Sequence, residues 1–384
     1  MRSFGRRLLA AGAVLAAALV VQPHAASAQI RIGVSLPDTG PAATAAMWER
    51  WGIELAREEI NASGGVLGQQ VQVIYADNRC NPSEGVGSVN RLIQERVVAI
   101  IGAHCSSATI AAMPIVKEAR VPMLTGISSS PRITELSGRN GNEYMFRLQP
   151  SDAAMMDALA AYLARTRQFS RVAVLAEDTD FGRGGAQAFA QYAERAGITI
   201  LSQDFHPQQL ADYTTILTRI QSRRPDGLAL FQLGNDQANF MRNFQQMGLR
   251  IPFTGRVELG GLMQRFVEAG VMENSVSVWP YSHDVDSPEN RAFVEKIRAR
   301  HNSIPYLQTW SGYDSLRIFA QAIREAGTAE GPRIRDAMAA MRFQTVMGPS
   351  VQFDAENQAG TVLVVNRVRN RRVEVGEVLD LRNR

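Results

Sequence analysis

His104, Cys105, Ser106, Ser107 and Thr109 place an imidazole, a thiol and three hydroxyls within six residues, directly after the apolar run from Val97 to Gly102. Three chemistries fit that set: a cysteine nucleophile with its base, a hydroxyl cradle for an anion, or one half of a disulfide. Cys80 is the only other cysteine in the chain. In an oxidising compartment two such cysteines are expected to pair, and a bridged sulfur cannot attack. The hydroxyls keep their use in either case. At the first turn of a helix the backbone N–H groups are unpaired and the dipole is positive, so Ser106, Ser107 and Thr109 there suit a carboxylate. The plainer reading makes one serine an N-cap and leaves the others to solvent.

A second hydroxyl cluster, Ser128-Ser129-Ser130, follows Ile127 and precedes a helix that can begin at Pro131. Two adjacent strand ends would then aim hydroxyl-rich loops into one crevice. Further along, AEDTDFGRGGA and TGRVELGG hold equivalent strand-end positions. Phe181 reads either as an apolar lid or as core, and Asp178 or Asp180 as a helix cap. Glu258 reads as a partner for an ammonium group or as a solvated carboxylate.

Catalytic and metal chemistry find little support. FGRGGA resembles a dinucleotide loop, but Gln187 stands where the third glycine belongs. His24, His104, His206, His283 and His301 show no metal-ligand spacing, so neither a metal nor a cofactor is expected. There is no G-x-S-x-G elbow. Paired acids have no fixed spacing, which leaves a carboxylate-based hydrolase open.

The elements that must position these residues alternate. Ile30 to Leu36 reads as a strand; Met47, Trp51 and Leu55 recur at helical spacing; Val71, Val73 and Tyr75 mark a second strand. The alternation continues through VVAIIG, SATIAAMPIVKEAR and VPMLT. A second block runs from RVAVLAE to SVSVWPY. Such units build parallel sheets covered by helices on both faces. The fold class is therefore α/β, with two doubly wound lobes and a linker near Gln149 to Ser151. Two late helices, SPENRAFVEKIRAR and YDSLRIFAQAIREAG, should return to the first lobe. A closing hairpin around Asn370 should join the second.

The N-terminus sets the compartment. Arg2, Arg6 and Arg7 precede an apolar stretch from Leu8 to Val21 and the small residues Ala26-Ser27-Ala28, the order of a secretory signal cleaved after Ala28. The apolar stretch is short for a membrane span, which takes roughly 20 residues. No cysteine follows the cleavage point to carry a lipid. Without residues 1–28 the chain has 38 basic and 37 acidic residues, which gives no electrostatic footprint for nucleic acid. The size of the remainder calls for two domains.

The segments IGVSLPDTGPAA, EINASGGVLGQQVQV, DNRCNP, IIGAHCSSAT, VPMLTGISSSP and DFGRG together resemble the type I periplasmic solute-binding proteins of ATP-driven importers, in particular the branched-chain amino acid group. The resemblance implies two Rossmann-like lobes joined by three crossovers, here residues 29–148 with 281–358 and residues 149–280 with 359–384. It implies closure on a small solute by hinge motion, and a Cys80–Cys105 bridge. It makes Ser106 the holder of a ligand carboxylate. Ile127, Ser128 and Ser129 become first-lobe contacts, Phe181 a cover from the second lobe, and Glu258 the acid that pairs with an ammonium. His104 stands where the leucine binders carry an apolar residue, so it would meet a polar or acidic ligand end. The function implied is capture of a small carboxylated solute, a branched-chain or aliphatic amino acid or an aromatic or aliphatic acid. The captured solute would pass to an inner-membrane permease complex, with the binding protein a non-enzymatic monomer in the periplasm. The alternatives are a periplasmic sensor of the same fold and an exported hydrolase.

Overall fold

A computed structural model describes residues 29–348 and 350–381. The proposed signal and its cleavage point lie outside these residues.

The first sheet contains β1 (Ile30–Leu36), β2 (Val71–Asp77), β3 (Ala99–Gly102), β4 (Met123–Thr125) and β5 (Met145–Arg147), interleaved with α1 (Ala43–Ala62), α2 (Pro82–Gln94), α3 (Ser106–Ala119) and α4 (Pro131–Leu136). Its strands are all parallel in the order β2-β1-β3-β4-β5. Two of these helices start where local chemistry dictates. Asn81 caps α2 by accepting from the N–H groups of Ser83 and Glu84, and prolines open α2 and α4.

The chain then crosses to a second sheet. It holds β6 (Arg171–Glu177), β7 (Thr199–His206), β8 (Gly227–Phe231) and β9 (Phe253–Gly255), with α5 (Asp152–Thr166), α6 (Asp180–Ala193), α7 (Thr214–Ser222), α8 (Gly234–Gln246) and α9 (Gln264–Glu268) around it. The order is β7-β6-β8-β9, again parallel. After β10 (Val276–Trp279) the chain returns to the first unit for α10 (Pro288–His301), α11 (Leu307–Ala326), α12 (Gly331–Ala340) and the short pair β11 (Phe343–Gln344) and β12 (Ser350–Val351). It ends on β13 (Val362–Arg369) and β14 (Arg372–Asp380). The expected hairpin is present, and its turn residues Asn370 and Arg371 both have positive φ, as a two-residue hairpin turn requires.

Two features depart from the alternating reading. The SVSVWPY strand, β10, leaves the parallel sheet and pairs antiparallel with β13 in a separate β10-β13-β14 sheet. α12 and the β11–β12 pair add a cap to the first unit that no motif had marked.

Buried side chains fall into separate cores. Ile32, Val34, Phe146, Trp310 and Phe319 belong to one core, and Val174, Phe189, Phe240 and Phe253 to cores of the other unit. Helices α1 and α11 approach closely enough that a Cβ at Gly52 would lie 1.9 Å from the Thr309 oxygen, and one at Gly312 2.2 Å from the Glu49 oxygen. That contact fixes α1, which carries Trp48 and Glu49, against α11. The first and third crossovers are also tied together. Buried Arg147 donates from Nε to Gln358 Oε1 at 2.5 Å and from Nη1 to the Ser130 carbonyl at 2.8 Å, while Gln358 Nε2 donates to the Gln149 carbonyl at 2.6 Å.

Candidate functional site

Doubly wound sheets bind at the point where strand order reverses, outside the carboxyl ends of the strands. In the first unit that point lies between β1 and β3, and in the second between β6 and β8. The loops after these four strands face one another across a cleft with about 840 Å³ of empty space, counted out to its open mouth. His104, Ser106, Ile127, Ser129, Phe181 and Glu258 all line it. Ser128 does not: its hydroxyl donates to the His104 carbonyl at 2.9 Å and lies 2.7 Å from Thr109 Oγ1, inside the first unit.

The first wall is held from behind. Cys80 and Cys105 form a disulfide, so the thiol chemistry is spent. Buried Asn78 donates to Ser35 Oγ and to the Ala103 carbonyl, both at 2.9 Å, and accepts from the Cys80 N–H at 3.0 Å. Thr109 Oγ1 accepts from the Ala103 N–H at 3.0 Å. These bonds fix the turn that carries His104 to the start of α3. His104 has φ +66°, and its Nδ1 lies 2.5 Å from Oε2 of Glu49, which is 1% exposed. The expected polar guest contact at His104 therefore comes with a built-in carboxylate partner. Ser106 Oγ accepts from the Ser130 N–H at 3.2 Å, which joins the two hydroxyl loops.

The opposite wall carries charge. Glu258 is fixed through its backbone, where Gln237 both donates to its carbonyl and accepts from its N–H at 3.0 Å. Among the described residues no cation lies beside its carboxyl, and burial alone pushes it up to about 8. Arg256, which the sequence reading passed over, lines the same wall and is 3% exposed. Its Nη1 donates to Asp152, whose other oxygen accepts from Ser129 Oγ at 2.9 Å, and its guanidinium sits 4.2 Å over the Trp279 ring. Burial pushes the Asp152 carboxyl up and the Arg256 guanidinium down. This chain of bonds links the first unit, the first crossover and the second unit at the cleft. The signal that marks Arg256 is its place directly after β9, in the same TGRVELGG loop as Glu258.

Behind the second wall sits an acidic pair. Glu177 accepts from the Leu233 N–H at 2.5 Å and from Gln208 Nε2 at 3.2 Å, and Asp236 accepts from the Gln209 N–H at 2.9 Å. Burial pushes both carboxyls up, and their bonds pin the loops after β6, β7 and β8. Among the described residues no cluster of ligating side chains could hold a metal.

The two walls are in contact. Ser107 Oγ accepts from the Asp180 N–H at 3.1 Å, and Arg132 lies 3.6 Å from Asp180. A Cβ at Gly261, whose φ is +56°, would lie 2.7 Å from the Trp48 ring, so only glycine lets that loop close against α1.

Comparison with known proteins assigns the architecture. The sequence pattern of the periplasmic binding proteins matches residues 29–372. The chain belongs to the periplasmic binding protein family. Its relatives include the leucine-, isoleucine-, valine-, threonine- and alanine-binding protein of Pseudomonas aeruginosa, 25% identical over 91% of this chain and 92% of that protein. A leucine binding protein, LivK, from Thermotoga maritima superposes with a TM-score of 0.82 at 25% identity, over 91% of this chain and 99% of that one. A solute binding protein of an ABC transporter from R. palustris, solved with benzoate, superposes at 0.84 and 19% identity, over 92% and 97%. This binding protein thus shares its two-lobed α/β fold with substrate-binding proteins of the branched-chain amino acid transporter type, and its closed cleft lies between the lobes.

Proposed function

We propose that the protein captures a small amino acid between its lobes and delivers it to an ABC permease, without catalysis, as a monomer in the periplasm. The observation that carries the reading is the opposed polarity of the cleft. One wall offers Ser106, Ser129 and the N-terminus of α3, all suited to a carboxylate; the other offers Glu258, with no cation beside it among the described residues. A zwitterion satisfies both walls at once. Phe181, Ile127 and Trp48 supply apolar cover, and His104 the polar contact. The lobes that close on the guest are residues 29–148 with 281–358 and residues 149–280 with 359–384, and the buried Arg147–Gln358 bonds at the crossovers support a hinge there.

A second reading rests on the same glutamate. A carboxyl raised to about 8 is mostly neutral at pH 7 and can face a guest that has no ammonium, such as an aromatic acid. Native mass spectrometry of the purified protein, followed by a thermal-shift panel, decides between them. Ligand at about 100 Kd adds roughly 2.7 kcal/mol of stability. A shift with amino acids and none with benzoate supports the first reading, and the reverse supports the second. Ser106→Ala should weaken either guest about tenfold or more, beyond the roughly 1 kcal/mol of ligand-free stability lost with its bond to the Ser130 N–H; unaltered affinity would remove Ser106 from the site.

A further inference from the structure

Gln232 follows β8 at the strand-order reversal of the second lobe, lines the cleft and is 4% exposed. Its orientation is fixed by a relay. The Pro207 carbonyl can only accept, so His206 Nδ1, 2.8 Å away, carries the hydrogen. Burial holds the His206 ring below its ordinary pKa, which keeps it neutral and leaves Nε2 as an acceptor. Gln232 lies 2.8 Å from that Nε2 and must turn its amide nitrogen toward it. Oε1 is then committed to the other side, where it is buried without any donor among the described residues. Gln308, on the first lobe's wall, likewise has a buried Oε1 with no partner. His104 adds a ring whose Nδ1 is engaged by Glu49, leaving Nε2 for a guest.

A buried amide oxygen without a donor is costly, and a cleft that served only an aliphatic side chain would gain from apolar residues at these places. We infer that the guest's side group is a hydrogen-bond donor, and that the solute is an amino acid with an amide or hydroxyl side chain received by Gln232, Gln308 and His104. The inference rests on the amino-acid reading above and narrows it.

Two isosteric pairs test it with the wild-type protein: asparagine against leucine and threonine against valine, measured by calorimetric titration. Each pair keeps its shape and changes only the polar group. The polar member should bind about 10- to 100-fold more tightly. In Gln232→Leu, folded as judged by its ligand-free melt, the ratio should fall toward one. Leucine or valine bound as tightly as its polar isostere by the wild-type protein overturns this inference and leaves the amino-acid reading standing. Benzoate bound in place of all four removes both.

Discussion

The loop after β3 in the first lobe and the loops after β8 and β9 in the second hold matching places at the edges of their sheets, yet they are finished differently. Around His104 and Ser106 the polar groups are paired inside the lobe: Asn78, Thr109 and Ser128 bond the turn, and the disulfide closes it. Across the cleft, Gln232 Oε1 and Arg256 Nε are buried without partners, and the Glu258 carboxyl has no cation. The loop after β3 is braced before a guest arrives, with only Gln308 Oε1 elsewhere on its wall left unpaired among the described residues. The loops after β8 and β9 are completed by the guest. Affinity on the first wall then comes from preorganisation, whereas discrimination belongs to the second, where a wrong guest leaves groups unpaired.

The largest break in that comparison is Arg256→Met. Asp152 is fully buried and its principal cation is Arg256, so removing the cation strands a carboxylate. The expected loss is about 3–5 kcal/mol, read as a lower urea midpoint of the ligand-free protein. Ser129→Ala, on the first-lobe side of the same chain of bonds, should cost only about 1 kcal/mol. Equal costs would mean that the second wall holds no special charge.

The disulfide comes next. Cys80 and Cys105 are 25 residues apart, and replacing both by serine should cost roughly 3 kcal/mol of stability through the freed loop. Affinity should fall as well, because the turn bearing His104 and Ser106 loses its anchor. A stability loss with unchanged affinity would show that the Asn78 bonds alone preorganise the first wall.

Acidity separates the walls without mutation. Glu258 stays protonated in the free protein up to about pH 8, so taking up an ammonium group at lower pH expels a proton. Affinity for an amino acid should rise up to tenfold per unit from pH 6 to 8 and then level off. Glu258→Gln should flatten the profile. The sign for stability is opposite. A carboxyl whose folded pKa exceeds its unfolded value of 4.5 is protonated in the fold and ionised in the unfolded chain between 4.5 and 8, so stability of the free protein falls as pH rises through that window. Glu177 contributes in the same direction.

Strand-end loops were the legible part of the site, because an apolar run that stops at a small polar cluster before a helical period places those residues at a sheet edge from local sequence alone. His104, Ser106, Phe181 and Glu258 came from that rule. Ser128 satisfied it and still faces inward, since Thr109, nineteen residues earlier, captures its hydroxyl. Gln232 is invisible locally; its meaning depends on a proline carbonyl relayed through His206. Arg256 was overshadowed by Glu258, and its role depends on Asp152, more than a hundred residues away. The two parallel sheets follow from alternation, but β10 joins the antiparallel sheet because β13, late in the chain, pairs with it.

The smallest effect concerns the seam between the walls. Ser107 Oγ accepts the Asp180 N–H at the start of α6, a bond that exists only when the lobes are together. Ser107→Ala removes it while leaving the disulfide, the Asn78 bonds and both ligand walls in place. A single hydrogen bond of this kind contributes about 0.5–1.5 kcal/mol, so affinity should weaken roughly two- to tenfold. The loss should fall on the dissociation rate, because the encounter face of the open first lobe is unaltered and only the closed form is destabilised. Stopped-flow fluorescence, with Trp48 and Trp279 at the cleft as reporters, measures both rates. A slower association with unchanged release would mean that Ser107 serves the guest directly and belongs to the first wall, not to the seam.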